Sequence, residues 1–269
     1  MINIINNFYE GISSEQNNIE EIDVHVFPAE GNPYLSKKQF LSEHFIEVSI
    51  NERKAFSLVC TATDIHYLIV GRLISEGFVK DISEIDNIYI CDKGLSAKVY
   101  IKGDVELIST TNTVRSCCSD NKQSLERKNL SLNKLNYNID KYNDKDLILQ
   151  VREAIDIFDK DSKLHKMTSG THSCYLIKEG KLIYSAEDIG RHNALDKVIG
   201  YMYVNDVTCD NSLLFTTGRM PVDMVRKVIN ARIPILASKS VPTKEAVIMA
   251  DKNGLVLVGR AWPDSFEIY

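Results

Sequence analysis

The sequence predicts an α/β protein: a C-terminal domain with a mostly parallel sheet, and a smaller N-terminal subdomain that is rich in β-structure. Three observations support this. Beyond residue 180, short apolar runs alternate with amphipathic stretches, joined by connections of a few residues. Residues 22–62 instead carry extended runs one after another. A length of 269 residues, 44% of them hydrophobic and 26% charged, is ordinary for a soluble globular chain of one large domain or two smaller ones. The expected boundaries are a loosely ordered segment over 1–20, a β-rich subdomain with a cysteine-bearing loop over 21–143, and an α/β domain over 144–269.

Each element has a local reason. Residues 22–27 (IDVHVF), 45–50 (FIEVSI) and 54–60 (KAFSLVC) alternate or run apolar and read as strands, with Asn51-Glu52 as a hairpin turn. A helix follows from Thr63, with Ile65, Leu68, Ile69 and Leu73 on one face and Gly77 at its stop. Strands are expected over 87–91 and 97–102 around a Lys93-Gly94 turn, and a short extended piece near 106–110. Residues 119–146 are polar, with many Asn, Lys and Asp, and suit a segment between subdomains. Leu147, Ile148, Val151, Ile155 and Phe158 mark an amphipathic helix over 145–159.

The C-terminal part is the most regular. Strands are expected over 181–185, 213–217, 234–238 and 255–259. A helix over 191–204 should bury Ala194, Leu195, Val198, Ile199 and Met202. Pro221 suits the first turn of a helix carrying Val222, Val225, Val228 and Ile229. Thr243 or Pro242 opens another helix, and Gly254 stands where its C-terminal cap belongs. Short crossovers between such strands are right-handed and give a parallel arrangement.

Composition excludes several classes. A net charge of −5 argues against a general nucleic-acid binder. No apolar run approaches the ~20 residues that a membrane span needs, and residues 1–21 lack the basic and apolar regions of a signal peptide. Six cysteines without repeating spacing suit a reducing compartment, so a cytoplasmic location is expected. No metal site is expected: a His-x-Glu with Pro-Cys-x-x-Cys, a paired Cys-x-x-Cys, a phosphate-binding Walker loop and a Gly-x-Gly-x-x-Gly are all absent.

Two places attract chemistry. Residues 111–124 (TNTVRSCCSDNKQS) form a polar loop holding Cys117 and Cys118 beside Arg115 and Lys122. Either these are reactive thiols, favoured as thiolates by nearby positive charge, or they are an incidental pair on a loop. The second place is the set of strand ends, where open parallel sheets bind ligands. Thr217-Gly218-Arg219, Ser238-Lys239-Ser240 and Gly259-Arg260 each follow a strand, and Glu187-Asp188-Ile189-Gly190-Arg191-His192 follows another. Helix N-termini facing Arg191, Arg219, Lys239 and Arg260 suit a phosphate or pyrophosphate, and Trp262 is placed to stack on a ring. The alternative is solvated loop ends. His172 by itself fits a hydrogen-bonded structural role; His192 shares the ligand edge and is the better chemical candidate.

Several of these stretches resemble the formate dehydrogenase accessory sulfurtransferases (the FdhD family). Residues 187–200 (EDIGRHNALDKVIG) look like that family's signature, and 215–220 (FTTGRM), 233–240 (IPILASKS), 60–63 (CTAT) and 71–78 (GRLISEGF) are similar to its other motifs. The resemblance spans about residues 20–269. It implies a cytidine-deaminase-like three-layer domain and a homodimer. It also implies a function: sulfur is accepted from a cysteine desulfurase as a cysteine persulfide. That sulfur is passed to the molybdenum cofactor, bis(molybdopterin guanine dinucleotide), before insertion into the formate dehydrogenase catalytic subunit.

Site residues follow from the same resemblance. Ser116-Cys117-Cys118-Ser119 looks like the family's Ser-Cys-Cys-Gly form of the sulfur-carrying loop, with Cys118 as carrier and Cys117 as helper thiol or carrier itself. Asn121 stands where a Cys-x-x-Cys form has its second cysteine. Arg260, Ala261, Trp262, Pro263, Asp264 and Ser265 match the segment that contacts the cofactor. Arg219, Lys239 and Arg260 are expected on its phosphates, Ser240 and His172 among its other binding residues, and Asp188, Arg191 and His192 shaping the pocket or the dimer. The family's Thr-Gly-Gly-x-His is similar to residues 168–172, where Ser169 replaces a glycine. The alternative function is delivery of the cofactor without sulfur transfer.

Overall fold

The computed structural model describes residues 2–8, 19–103, 107–110, 124–127, 135 and 145–269. Its N-terminal half contains β1 (Asn3–Asn6), β2 (Ile19–Val26), β3 (Tyr34–Leu41), β4 (His44–Ile50) and β5 (Arg53–Cys60), then α1 (Ile65–Ser75), β6 (Ile85–Ile90) and β7 (Ser96–Ile101). Five of these strands form one sheet in the order β1-β6-β7-β4-β5, while β2 and β3 pair as a separate ribbon. The β4–β5 hairpin turns at Asn51 and Glu52, both with positive φ (46° and 64°), as a two-residue hairpin loop requires. Residues 3–6 correct the expectation of a loosely ordered start: β1 pairs parallel with β6. Ile2, Ile4 and Phe8 pack against the main core, which ties this short strand down.

Two short strands, β8 (Leu107–Thr110) and β9 (Ser124–Arg127), pair antiparallel. The second half has α2 (Lys145–Asp161), α3 (Lys163–Thr168), β10 (His172–Lys178), β11 (Lys181–Asp188), α4 (Arg191–Val204), β12 (Ser212–Thr216), α5 (Val222–Asn230), β13 (Ile235–Ser238), α6 (Lys244–Asn253), β14 (Val256–Gly259) and β15 (Glu267–Ile268). Its strands form a six-stranded sheet in the order β11-β10-β12-β13-β14-β15. The sheet is mixed. Only β12–β13 and β13–β14 pair parallel, which corrects the expectation of a mostly parallel sheet. The reason is local: Glu179 and Gly180, with φ 49° and 72°, join β10 to β11, and a two-residue link can close only an antiparallel pair.

Strand periodicity divides the interior in two. Cys174, Leu176, Leu214, Leu236 and Leu257 point to one face of the second sheet, into a core shared with α1, α4, α5 and the first sheet. Tyr175, Ile177, Leu213, Phe215, Ile235 and Val256 point to the other face, where Leu147, Val151, Ala154 and Ile155 of α2 cover them. At the centre, α1 and α4 pack along each other so closely that two glycines are obligatory. A Cβ on Gly71 would stand 1.7 Å from the Asp196 carbonyl oxygen, and one on Gly200 would stand 1.8 Å from that of Tyr67. Both ends of α6 match the sequence reading. The Thr243 hydroxyl accepts the Ala246 N–H, and Gly254 closes the helix at φ 73°.

Candidate functional site

Strand direction decides which residues meet. β11, β12, β13 and β14 run one way, and β10 runs against them. The carboxyl ends of four strands therefore share an edge with the amino end of β10. His172 lies opposite Asp188 in the ladder, and the Thr217 N–H donates to the Ser173 carbonyl at 3.1 Å. The next two turns are tied to this edge by backbone bonds, Lys239 N–H to Thr216 O at 3.4 Å and Arg260 N–H to Ser240 O at 2.9 Å.

An open cleft of about 550 Å³ lies at this edge. His172, Lys239, Ser240 and Trp262 line it, as the sequence suggested, together with Phe158, His165, Ser169, Gly170, Thr171 and Thr217. The Lys239 Nζ lies over two rings, 4.0 Å from the Phe158 centroid and 4.3 Å from that of Trp262. Such contacts arise because a ring face carries negative potential. Phe158 is held from beneath by Tyr175, edge-on at 5.8 Å, and by Phe215 at 5.7 Å. Trp262 is 46% exposed, on a turn closed by its own N–H donating to the Ser265 carbonyl. That turn follows Arg260, whose φ of +46° is a left-handed conformation uncommon outside glycine.

The opposite wall is built by α3 and the turn before β10. Glu187 organises it: Oε2 accepts the Leu164 N–H at 2.8 Å, and Oε1 accepts the His165 N–H at 2.9 Å and the hydroxyls of Thr171 and Ser173. His165 places Nδ1 2.8 Å from the Thr171 carbonyl oxygen. A carbonyl only accepts, so Nδ1 carries the proton. Ser169, which stands where the family pattern has glycine, holds φ 53°.

Electrostatics around His172 are one-sided. Burial, then the positive charges of Arg191, His165 and His192, hold its pKa below the ordinary 6.5, against a smaller opposing effect of Asp188. The ring is therefore neutral at pH 7. His192 Nε2 donates to Asp223 Oδ2 at 2.7 Å. Burial works against the Asp223 carboxylate, but that bond and the charge of His192 leave its pKa below the usual 3.8.

Other nominated residues take different places. Asp188 is fully buried: one oxygen accepts from the Thr61 N–H, the Thr61 hydroxyl and Lys197, the other from the Gly190 N–H and the Asn193 amide. With five donors on it, Asp188 fixes the junction between β11, α4 and the segment after β5, and does not line the cleft. Arg191 is buried beneath the edge, against Gly218, where an added Cβ would come within 2.9 Å of its side chain. Arg219, Arg260, Pro263, Asp264 and Ser265 are exposed outside the lining, and Ala261 is buried. The Arg260 guanidinium lies 3.7 Å from Glu267. Of the four basic residues expected on one crevice, Lys239 alone lines it. Cys117 and Cys118 lie outside the described residues, in the segment that joins β8 to β9.

Sequence reasoning missed Glu187, His165 and Phe158 as site residues. Phe158 was legible as an apolar helix position but not as a cleft wall, and nothing in the motif around Glu187 shows that its acceptors serve α3. Among the described residues no group of three or more His, Cys, Asp or Glu side chains is arranged to hold a metal, and no helix is long and apolar enough to cross a membrane.

Known proteins share this architecture. A crystal structure from Desulfotalea psychrophila, described as that of a candidate formate dehydrogenase accessory protein, superimposes with a TM-score of 0.71 over 93% of this chain and 96% of its own, at 24% identity. That likeness shows the fold. Proteins named "Sulfur carrier protein FdhD" from Listeria innocua and Bacillus pumilus are 28% identical over 236 residues and 29% identical over 248. The matches cover 85% and 89% of this chain and 88% and 91% of theirs. The model of the FdhD/NarQ family matches residues 41–269, and the chain belongs to that family.

Proposed function

We propose that this protein is a sulfur carrier in the maturation of formate dehydrogenase. It accepts sulfur from a cysteine desulfurase on Cys118 and passes it to bis(molybdopterin guanine dinucleotide), the cargo, before the cofactor enters the dehydrogenase catalytic subunit. The protein would act in the cytoplasm as a homodimer. The observation that carries this reading is the cleft at the strand ends. It combines an ammonium group (Lys239), the hydroxyl-bearing Thr217 and Ser240, and two rings (Phe158 and Trp262), a set suited to a ligand with phosphates and a planar base. The name that its relatives carry, sulfur carrier protein, supports the sulfur-carrying part of this reading.

The sulfur step is an exchange between sulfurs. The Cys118 thiolate attacks the terminal sulfur of the donor's persulfide; a new S–S bond forms on Cys118 as the donor's S–S bond breaks, and the donor leaves as a thiolate. The proton of the terminal sulfur stays with it, so no external oxidant is needed. Lys239 and the neighbouring hydroxyls hold the cofactor's phosphates, and the neutral His172 offers an uncharged polar group beside it.

Isotopically labelled sulfur from a desulfurase tests the carrier step. Mass spectrometry should find a gain of about 32 Da, one sulfur, on the peptide bearing Cys118, absent in Cys118→Ala and retained in Cys117→Ala. If Cys118→Ala restores formate dehydrogenase as well as wild type, Cys118 is not the carrier. If neither cysteine takes up label yet the protein still supports the dehydrogenase, delivery without sulfur transfer is the correct reading.

A further inference from the structure

Lys239 stands between two aromatic side chains. Its ammonium lies over the faces of Phe158 and Trp262 at 4.0 and 4.3 Å. Those distances put the two ring centroids at most about 8 Å apart, which leaves up to about 4 Å on each side of a ring placed between them, the range of van der Waals contact. One wall is fixed, because Tyr175 and Phe215 pack around Phe158. The other, Trp262, stands half exposed on a short turn. Both ring faces thus border one slot in the cleft, and the protein's own lysine occupies it.

We infer that Phe158 and Trp262 form the ring subsite of the cleft, and that Lys239, by occupying it, makes entry conditional on an anionic group. Lys239 is then a specificity-determining residue that selects nucleotides over nucleosides. This rests on the phosphate-and-base reading of the cleft above.

The physical reasoning is an exchange of partners. A neutral nucleoside must displace the ammonium from two ring faces and offers nothing in return. That displacement weakens binding by about five- to thirtyfold, the equilibrium equivalent of a partly desolvated cation–π contact. A nucleotide brings phosphate oxygens, and the ammonium leaves the rings for charge-assisted hydrogen bonds. Thr217 and Ser240 line the same cleft and supply hydroxyl donors to the same group. The released slot then takes the base.

Trp262 is the chain's single tryptophan, so its emission reports this slot directly. The experiment follows Trp262 fluorescence during titration with guanosine diphosphate and with guanosine, alongside calorimetry, for wild type, Lys239→Met and Lys239→Gln. Wild type should bind the diphosphate at least about tenfold more tightly than guanosine, with a change in Trp262 emission. Both variants should bind guanosine more tightly than wild type does, because the occupant is gone, and should bind the diphosphate more weakly. A purely structural role for Lys239 would weaken both ligands together. Diphosphate binding with no gain in guanosine affinity in either variant would overturn the gating. Calorimetry showing no diphosphate binding to wild type would overturn the ligand reading itself, and the gating with it.

Discussion

Replacing Gly200 by alanine tests the helix crossing on which the site is mounted. The added Cβ would meet the Tyr67 carbonyl oxygen at 1.8 Å and its carbon at 2.6 Å. Carbon–oxygen contacts begin near about 3.3 Å, so α1 and α4 must separate by roughly 1.5 Å. The obstacle is backbone, and no side-chain rotation relieves it. Overpacking of this kind costs about 1–3 kcal/mol and sometimes more, and with both helices central to the core we expect about 3 kcal/mol. In an uncrowded helix interior the same change would stabilise by about 0.5–1 kcal/mol, so the sign of the effect decides the question. Thermal unfolding should show Tm lowered by about 6–12 °C, taking about 2–4 °C per kcal/mol for a chain of this size. Gly71→Ala should behave alike, since its Cβ would stand 1.7 Å from the Asp196 carbonyl oxygen. One separation of the helices makes room for both methyls, so the double variant should fall short of the summed costs by about 1 kcal/mol or more. An unchanged or raised Tm in either single variant, or strict additivity in the double, would refute the close crossing.

Three further outcomes follow from buried and half-buried polar groups. Lys197 and Asp188 are both fully buried at 2.7 Å, so Lys197→Met, which strands the carboxylate, should cost about 3–5 kcal/mol in denaturant unfolding; a loss below about 1 kcal/mol would mean that the remaining donors on Asp188 suffice. His172 has a folded pKa below 6.5, so the unfolded chain takes its proton first. Its contribution is intact above pH 6.5 and is lost as pH falls from there through the lowered folded value. The stability of His172→Gln should decline less over that window, and parallel profiles for the two proteins would exclude His172 as the source. Glu187→Ala should cost about 2 kcal/mol through the loss of charge-assisted bonds and raise amide hydrogen exchange at Leu164 and His165; unchanged exchange there would show that Glu187 does not hold α3.

Much of the fold was legible because its signals are local. The α6 boundaries rest on a threonine cap and a left-handed glycine, and the β4–β5 turn rests on two residues that tolerate positive φ. Period-two alternation in β10 and β12 divides their side chains between two cores, a division that only the packed sheet displays. What failed was pairing. The Glu179–Gly180 link that makes β10 and β11 a hairpin occupies two residues, and β1 is held by a strand more than 80 positions away.

For the site the division is similar. The alternation of strands and helices nominated Lys239, Ser240 and Trp262 at one strand-end edge, and the family resemblance added His172; all four line the cleft. Only the tertiary structure decided that Asp188 is an internal anchor, that Arg191 lies beneath the edge, and that Phe158, His165 and Glu187 belong to the site. The physical reason is distance along the chain. Helix capping and strand alternation are set by neighbours in sequence, whereas the meeting of Phe158, Lys239 and Trp262 depends on how α2 packs across the outer face of the second sheet.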